Sequence, residues 1–159
     1  ILNTDAEGRL ILADAISYAV RKEKVTKILD IATLTGEVWE ALGYTIGGSM
    51  SDNDAFYQLF QQGLISSGEK YLRFPFGIEH EKMMESSIAD LKNTGGDCCK
   101  TITGGLFLRH FTENIPWIHL DIAGIAWNDT PFYAYESKGG TGAGLTSLYY
   151  MLKEAAFFL

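Results

Sequence analysis

The chain reads as an α/β domain, a mixed sheet with helices on both faces. Three observations predict this. A helical stripe over Leu10 to Arg21 runs straight into a short apolar segment, Val25 to Thr33, which is the helix-then-strand rhythm of α/β proteins. A second strand pattern, Trp117 to Ala123, lies far downstream. Its Trp117, His119 and Asp121 alternate with Ile118, Leu120 and Ile122, so both faces carry side chains that need covering. No repeat, low-complexity tract or linker divides what lies between.

The elements follow in order. Apolar Leu12, Ile16, Ala19 and Val20 form the stripe of the first helix, which starts near Gly8 or Arg9 and ends in the positive charge of Lys22 to Lys24. Val25 to Thr33, with Ile28, Leu29 and Ile31, reads as a buried strand closed by Thr35-Gly36. Glu37 to Leu42 predicts a short helix, and Gly43 to Ser49 a glycine-broken stretch. Asp52 or Asn53 caps a helix running to about Ser66, with Phe56, Leu59, Phe60 and Leu64 as its apolar face. Tyr71 to Phe74 is a short extended piece stopped by Pro75. Glu79 to Ser86 predicts a helix, Asn93 to Thr103 a loop, and Thr103 to Phe111 a helix with Leu106 and Phe107 inward. A loop through Pro131 to Gly140 precedes the last helix, expected from Gly142 or Ala143 to Ala155.

Composition narrows the partners. The chain has 159 residues, 47% hydrophobic and 21% charged, enough for a substantial core. Twenty acidic against 13 basic residues leave a net charge of −7, which disfavours nucleic acid and an acidic membrane surface. No run approaches the ~20 apolar residues of a membrane span. The two cysteines, Cys98 and Cys99, are adjacent, so a disulfide scaffold is excluded and a reducing cytosol fits.

The densest chemistry is at the start, in Asn3-Thr4-Asp5-Ala6-Glu7-Gly8-Arg9-Leu10. In a strand-like segment or tight loop, Asp5, Glu7 and Arg9 can face one pocket. Two hard oxygen donors beside a fixed cation suit a divalent metal and an anionic partner. A plainer reading makes the same stretch a helix start, with Thr4 or Asp5 as N-cap and Glu7 complementing the dipole. Elsewhere, Asp30, Asp90 and Asp121 are further carboxylates. Asp90 is expected to cap or pin the loop after it, Asp121 to satisfy buried backbone donors, and His119 to be a structural strand residue. The run Gly139-Gly140-Thr141-Gly142-Ala143-Gly144 lacks the order and the downstream acid of a dinucleotide fingerprint.

The octapeptide resembles the signature of the leucyl aminopeptidase (cytosol aminopeptidase) family of two-metal exopeptidases. Further segments resemble that family in the same order. They are Asp30-Ile31-Ala32-Thr33-Leu34-Thr35-Gly36, Ser87-Ile88-Ala89-Asp90-Leu91-Lys92-Asn93 with Gly95-Gly96, Trp117-Ile118-His119-Leu120-Asp121-Ile122-Ala123-Gly124, and Gly140-Thr141-Gly142. The likeness runs from Leu2 to about Leu152.

The resemblance implies a function and roles. It implies metal-dependent release of N-terminal amino acids, leucine-type, from peptides. Asp5 would bind one of two divalent ions (Mn or Zn) and Glu7 would bridge both, with Gly8 letting the backbone turn close to them. Arg9 would hold a bicarbonate ion acting as general base. Asn3 and Thr33 would wall the pocket for the first side chain, and the Leu34-Thr35-Gly36 turn would hydrogen-bond the substrate main chain. It also implies a cytoplasmic homo-hexamer. In the family the catalytic domain begins well before the octapeptide, and that upstream part supplies a lysine and two aspartates as ligands. Residues 1–159 are therefore expected to be the C-terminal portion of the catalytic domain, without the upstream part or the separate N-terminal domain, and inactive alone. The alternative is a non-catalytic truncated chain or oligomerisation fragment, with an exposed sheet edge that promotes self-association. Asp97-Cys98-Cys99-Lys100, in a loop that lies near the substrate pocket in the family, departs from the family's arginine and small residues after the glycine pair, and Gly104-Gly105 replaces a more alanine-like stretch.

Overall fold

The computed structural model describes residues 1–156; residues 157–159 of the expected domain lie outside the described residues. The described residues form six strands and six α-helices. They are α1 Gly8–Tyr18, β1 Ile28–Ala32, α2 Glu37–Leu42, β2 Gly47–Ser51, α3 Asp54–Ser67, β3 Tyr71–Arg73, α4 Ile78–Lys82, α5 Lys100–Arg109, β4 Trp117–Asp121, β5 Trp127–Asn128, β6 Gly139–Gly140 and α6 Leu145–Ala156. A π-helical turn, Ala19–Glu23, extends α1 and ends at Lys24 in the left-handed region.

The main sheet has the order β1-β4-β2-β3. β1 runs parallel to β4 and β2 parallel to β3, while β2 is antiparallel to β4, so the sheet is mixed as the sequence predicts. Register sorts the side chains. Ile28 pairs with Trp117, Asp30 with His119 and Ala32 with Asp121. Across β4, Gly48 faces Asp121 and Met50 faces His119. Because strand side chains alternate faces, these residues share one side of the sheet. Ala13 and Ile16 of α1 and Leu106 and Phe107 of α5 cluster there with Ile28, Met50 and Trp117. On the other side Ile118 and Leu120 pack with Phe56, Tyr57 and Phe60 of α3 and Met151 of α6. Helices therefore cover both faces.

The predicted cap of α3 falls on Asn53, whose Oδ1 accepts from the Phe56 amide at 2.8 Å. Several expectations need correction. Gly43 to Ser49 is not merely glycine-broken, since Gly47–Ser51 is a fully buried strand between β3 and β4. Its glycines are there for space. A Cβ on Gly47 would strike the Tyr71 ring, and one on Gly48 would come within 2.8 Å of Val38. β1 is shorter than Val25 to Thr33 and lies at the sheet edge, which leaves Ile31 38% exposed. The helix expected over Glu79 to Ser86 closes at Lys82. α5 begins at Lys100 rather than Thr103, and α6 begins at Leu145. Sequence reading missed the small antiparallel ribbon of β5 and β6, two residues each. No helix among the described residues is long and apolar enough to cross a membrane.

Candidate active site

β1 and β4 are parallel, and their carboxyl ends lie side by side at Ala32 and Asp121. In α/β sheets such strand ends are where ligands bind. A cavity of about 540 Å³ opens there, between the start of α1 and the turn after β1. Asn3, Asp5, Glu7, Arg9, Thr33, Leu34 and Gly36 all line it, together with Glu37, Thr94 and Lys100. Seven residues singled out in sequence thus border one concavity. A larger cavity of about 860 Å³ shares none of these residues and is lined by Tyr44, Trp127, Phe132, Tyr133 and Tyr135.

The octapeptide reaches the cavity by a route that alternation did not predict. Thr4 and Asp5 form a turn, in which Asn3 Oδ1 accepts from the Asp5 amide at 2.9 Å. Helix α1 begins at Gly8, and the Glu7 carbonyl accepts from the amides of Leu10 and Ile11 at 2.9 and 3.1 Å. The segment is therefore not extended. The N-cap position belongs to Glu7, without a side-chain capping bond, and not to Thr4 or Asp5. Gly8 is not required by space either, since a Cβ there would meet Leu34 at an ordinary 3.6 Å. Turn followed by helix leaves Asp5 and Glu7 exposed on the cavity side while Arg9 turns inward, 6% exposed.

Arg9 is held from the far side of the chain. Its Nη1 donates to the Asn93 carbonyl at 3.1 Å. The same Asn93 clamps the octapeptide: Nδ2 donates to the Asn3 carbonyl at 2.6 Å, and Oδ1 accepts from the Leu2 amide at 2.8 Å. Among the described residues no carboxylate lies within ion-pair distance of the guanidinium. Burial draws Arg9 below its ordinary value, opposed by the fields of Glu37 and Asp121. α5 approaches the guanidinium through Gly104, where a Cβ would sit 3.2 Å from Nη2. That glycine makes room for Arg9 itself. Asp90, expected to pin this segment, lies exposed, and Asn93 does the fastening instead.

The other wall is the Leu34-Thr35-Gly36 turn. Asp121, at the end of β4, accepts from the amides of Leu34 and Thr35, both at 3.1 Å, and from the Thr35 hydroxyl at 2.6 Å. Asp121 satisfies buried donors as expected. Burial raises its carboxyl above the usual range, and the Thr35 hydrogen bond opposes this. Behind it Asp30 bonds His119 Nδ1 at 2.6 Å and Trp117 Nε1 at 2.8 Å, which makes His119 a structural residue. At the rim Lys100 pairs with Glu37 at 2.7 Å. Burial raises the Glu37 carboxyl, but the Lys100 hydrogen bond and charge outweigh it and leave Glu37 below its ordinary value. Sequence reading missed Asn93, Glu37 and Lys100 as site residues. Their spacing to the octapeptide, tens of residues or more, offered no local signal.

The donor set fits divalent cations in kind, since Asp5 and Glu7 are exposed carboxylates beside the cavity. In number it does not complete a shell. No group of three or more His, Cys, Asp or Glu side chains converges on one point among the described residues.

The site is thus a cavity at the strand ends of a mixed α/β sheet, with a pair of exposed carboxylates and a buried guanidinium in its lining. The chain belongs to the cytosol aminopeptidase family, whose catalytic-domain model matches residues 1–149. It is 47% identical over 149 residues to the probable cytosol aminopeptidase of Clostridium perfringens, covering 94% of this chain and 30% of that protein. The Treponema denticola relative is 46% identical over 158 residues, covering 98% and 33%. The chain thus spans about a third of the length of these relatives. Among solved structures, a lysine-to-glutamate mutant of tomato leucine aminopeptidase superposes with a TM-score of 0.88 at 41% identity, covering 97% of this chain and 29% of that one. The bottromycin maturation enzyme BotP in complex with Mn superposes with a TM-score of 0.88 at 33% identity, covering 95% and 34%.

Proposed function

We propose that this chain carries half of the active site of a two-metal aminopeptidase that releases N-terminal, leucine-type residues from peptides. The observation that carries this reading is Arg9, a buried guanidinium without a carboxylate partner among the described residues, lining a cavity beside Asp5 and Glu7. A desolvated cation of this kind calls for an anion, and two exposed carboxylates nearby call for cations. Asp5 and Glu7 would hold two divalent ions, Mn or Zn, with Glu7 shared between them. Such ions supply Lewis-acid polarisation of a carbonyl and acidify water. Arg9 would hold a bicarbonate ion, which would supply a general base. Asn3 and Thr33 would wall the pocket for the first side chain, while Leu34 and Gly36 present main-chain groups to the substrate backbone. Asp121 holds that turn in place.

The relatives' name and BotP's Mn complex support this reading. By the same family resemblance we propose a cytoplasmic homo-hexamer, with residues 1–159 as the C-terminal part of its catalytic domain. Two carboxylates are too few for two ions, so the 159 residues alone are expected to be inactive.

The test is leucine-amide hydrolysis with added Mn or Zn. It compares this chain alone with the chain set as the matching segment of the full-length C. perfringens relative. The chimera is expected to turn over and the lone chain not. Glu7→Ala should cost the chimera at least about 3 kcal/mol of transition-state stabilisation, or roughly a hundredfold in rate. A chimera that keeps full turnover with Glu7→Ala overturns the proposal.

A further inference from the structure

The loop before α5 ends in two adjacent thiols, Cys98 and Cys99, which the candidate active site does not use. Both are free and exposed. They are consecutive residues, so one acceptor atom can be offered both sulfurs. The backbone holds them as a pair. Cys99 is the N-cap residue of α5 and sits in the left-handed region at φ 55°, a conformation that few non-glycine residues adopt. It is anchored on its C-terminal side, where its carbonyl accepts from the Thr103 amide at 2.8 Å and Lys100 is drawn to Glu37.

We propose that Cys98 and Cys99 form a two-sulfur chelating site for a soft, three-coordinate acceptor, with trivalent organoarsenicals as the chemical class. Coordination number decides the class. A zinc-type site needs four ligands. Among the described residues no third His, Cys, Asp or Glu joins this pair. Thiolate sulfur favours soft acceptors, and an arsenic atom that already bears one organic group needs only two protein sulfurs. The reaction is a condensation. An arsenoxide, R–As=O, forms two As–S bonds, its As=O bond and both S–H bonds break, and the oxygen leaves as water with the two thiol protons. No oxidation state changes, so no oxidant or reductant is needed. Burial and the neighbouring Cys98 push the Cys99 thiol up, which favours its protonated form. After the first As–S bond the second sulfur attacks intramolecularly, at high effective concentration.

Phenylarsine oxide and intact-mass spectrometry test the site. One adduct per chain is expected, displaced only by a dithiol such as ethanedithiol. In excess 2-mercaptoethanol it should be lost roughly a hundredfold more slowly than any adduct of Cys98→Ser or Cys99→Ser. Circular dichroism checks that both variants keep the fold. An adduct stripped from the wild-type chain by the monothiol, or retained equally by both serine variants, overturns the proposal.

Discussion

The two faces of the central sheet make opposite use of one strand. On the α3 and α6 side, Ile118 and Leu120 of β4 meet Phe56, Phe60 and Met151, and the buried polar groups there are mostly hydroxyls, such as Ser49 bonded to Tyr57. On the α1 and α5 side, the alternating residues of the same strand are Trp117, His119 and Asp121, joined by Asp30 from β1. Here buried charge is enclosed rather than avoided. Asp121 takes hydrogen bonds from Leu34, Thr35 and Ala123, so its desolvation is offset by donors that would otherwise be stranded. The difference teaches a division of labour. Both faces carry hydrophobic core, and the α1 and α5 face also fixes the turn that walls the cavity.

The sharpest way to break that contrast is to cut each face separately. Phe60→Ala removes a fully buried ring from the apolar face and should cost about 3–5 kcal/mol in urea unfolding. A loss under about 1 kcal/mol would mean that this side is not where stability resides. Asp121→Ala strands the Leu34 and Thr35 amides and should cost less, about 1–3 kcal/mol. Its distinctive sign is local. Hydrogen exchange should accelerate at the amides of Leu34 and Thr35 more than at those of α3, and uniform acceleration would contradict the pinning role.

The smallest effect sharpens the comparison through pH. Burial lowers His119, but the charge and hydrogen bond of Asp30 outweigh it, so the imidazole sits above its ordinary 6.5. A raised folded value favours the protonated form in the native state. Its stabilisation is therefore complete below the unfolded value and is lost as pH rises through the folded one. His110, which burial draws down, slopes the other way. The readout is thus the difference in unfolding free energy between wild type and His119→Gln, followed from pH 5 upward through neutrality. That difference should shrink as pH rises, and a flat difference would deny the charged pair.

Legibility followed the range of the forces involved. The cap at Asn53, the apolar faces of α1 and α3, and the alternation in β4 were readable because each depends on neighbours a few residues away. The strand Gly47–Ser51 was not, because glycine and serine signal turns locally and only the Tyr71 and Val38 side chains make glycine necessary there. The octapeptide lines one cavity, and of the geometries open to it, strand-like, tight loop or helix start, the structure takes the last two. A turn at Thr4 and Asp5 entering a helix at Gly8 brings Asp5, Glu7 and Arg9 to the cavity, where strict alternation along a strand would have done so differently.

By itself the sequence determined the mixed α/β class, most of the elements, and the family to which its short motifs belong, since those signals are contiguous. Tertiary structure alone decided that Arg9 is buried, that Asn93 clamps it from 84 residues away, and that Asp121 pins Thr35 from 86 residues away. The reason is that a polar group's cost or benefit is set by the partners that replace water around it. In this fold those partners come from distant stretches of chain.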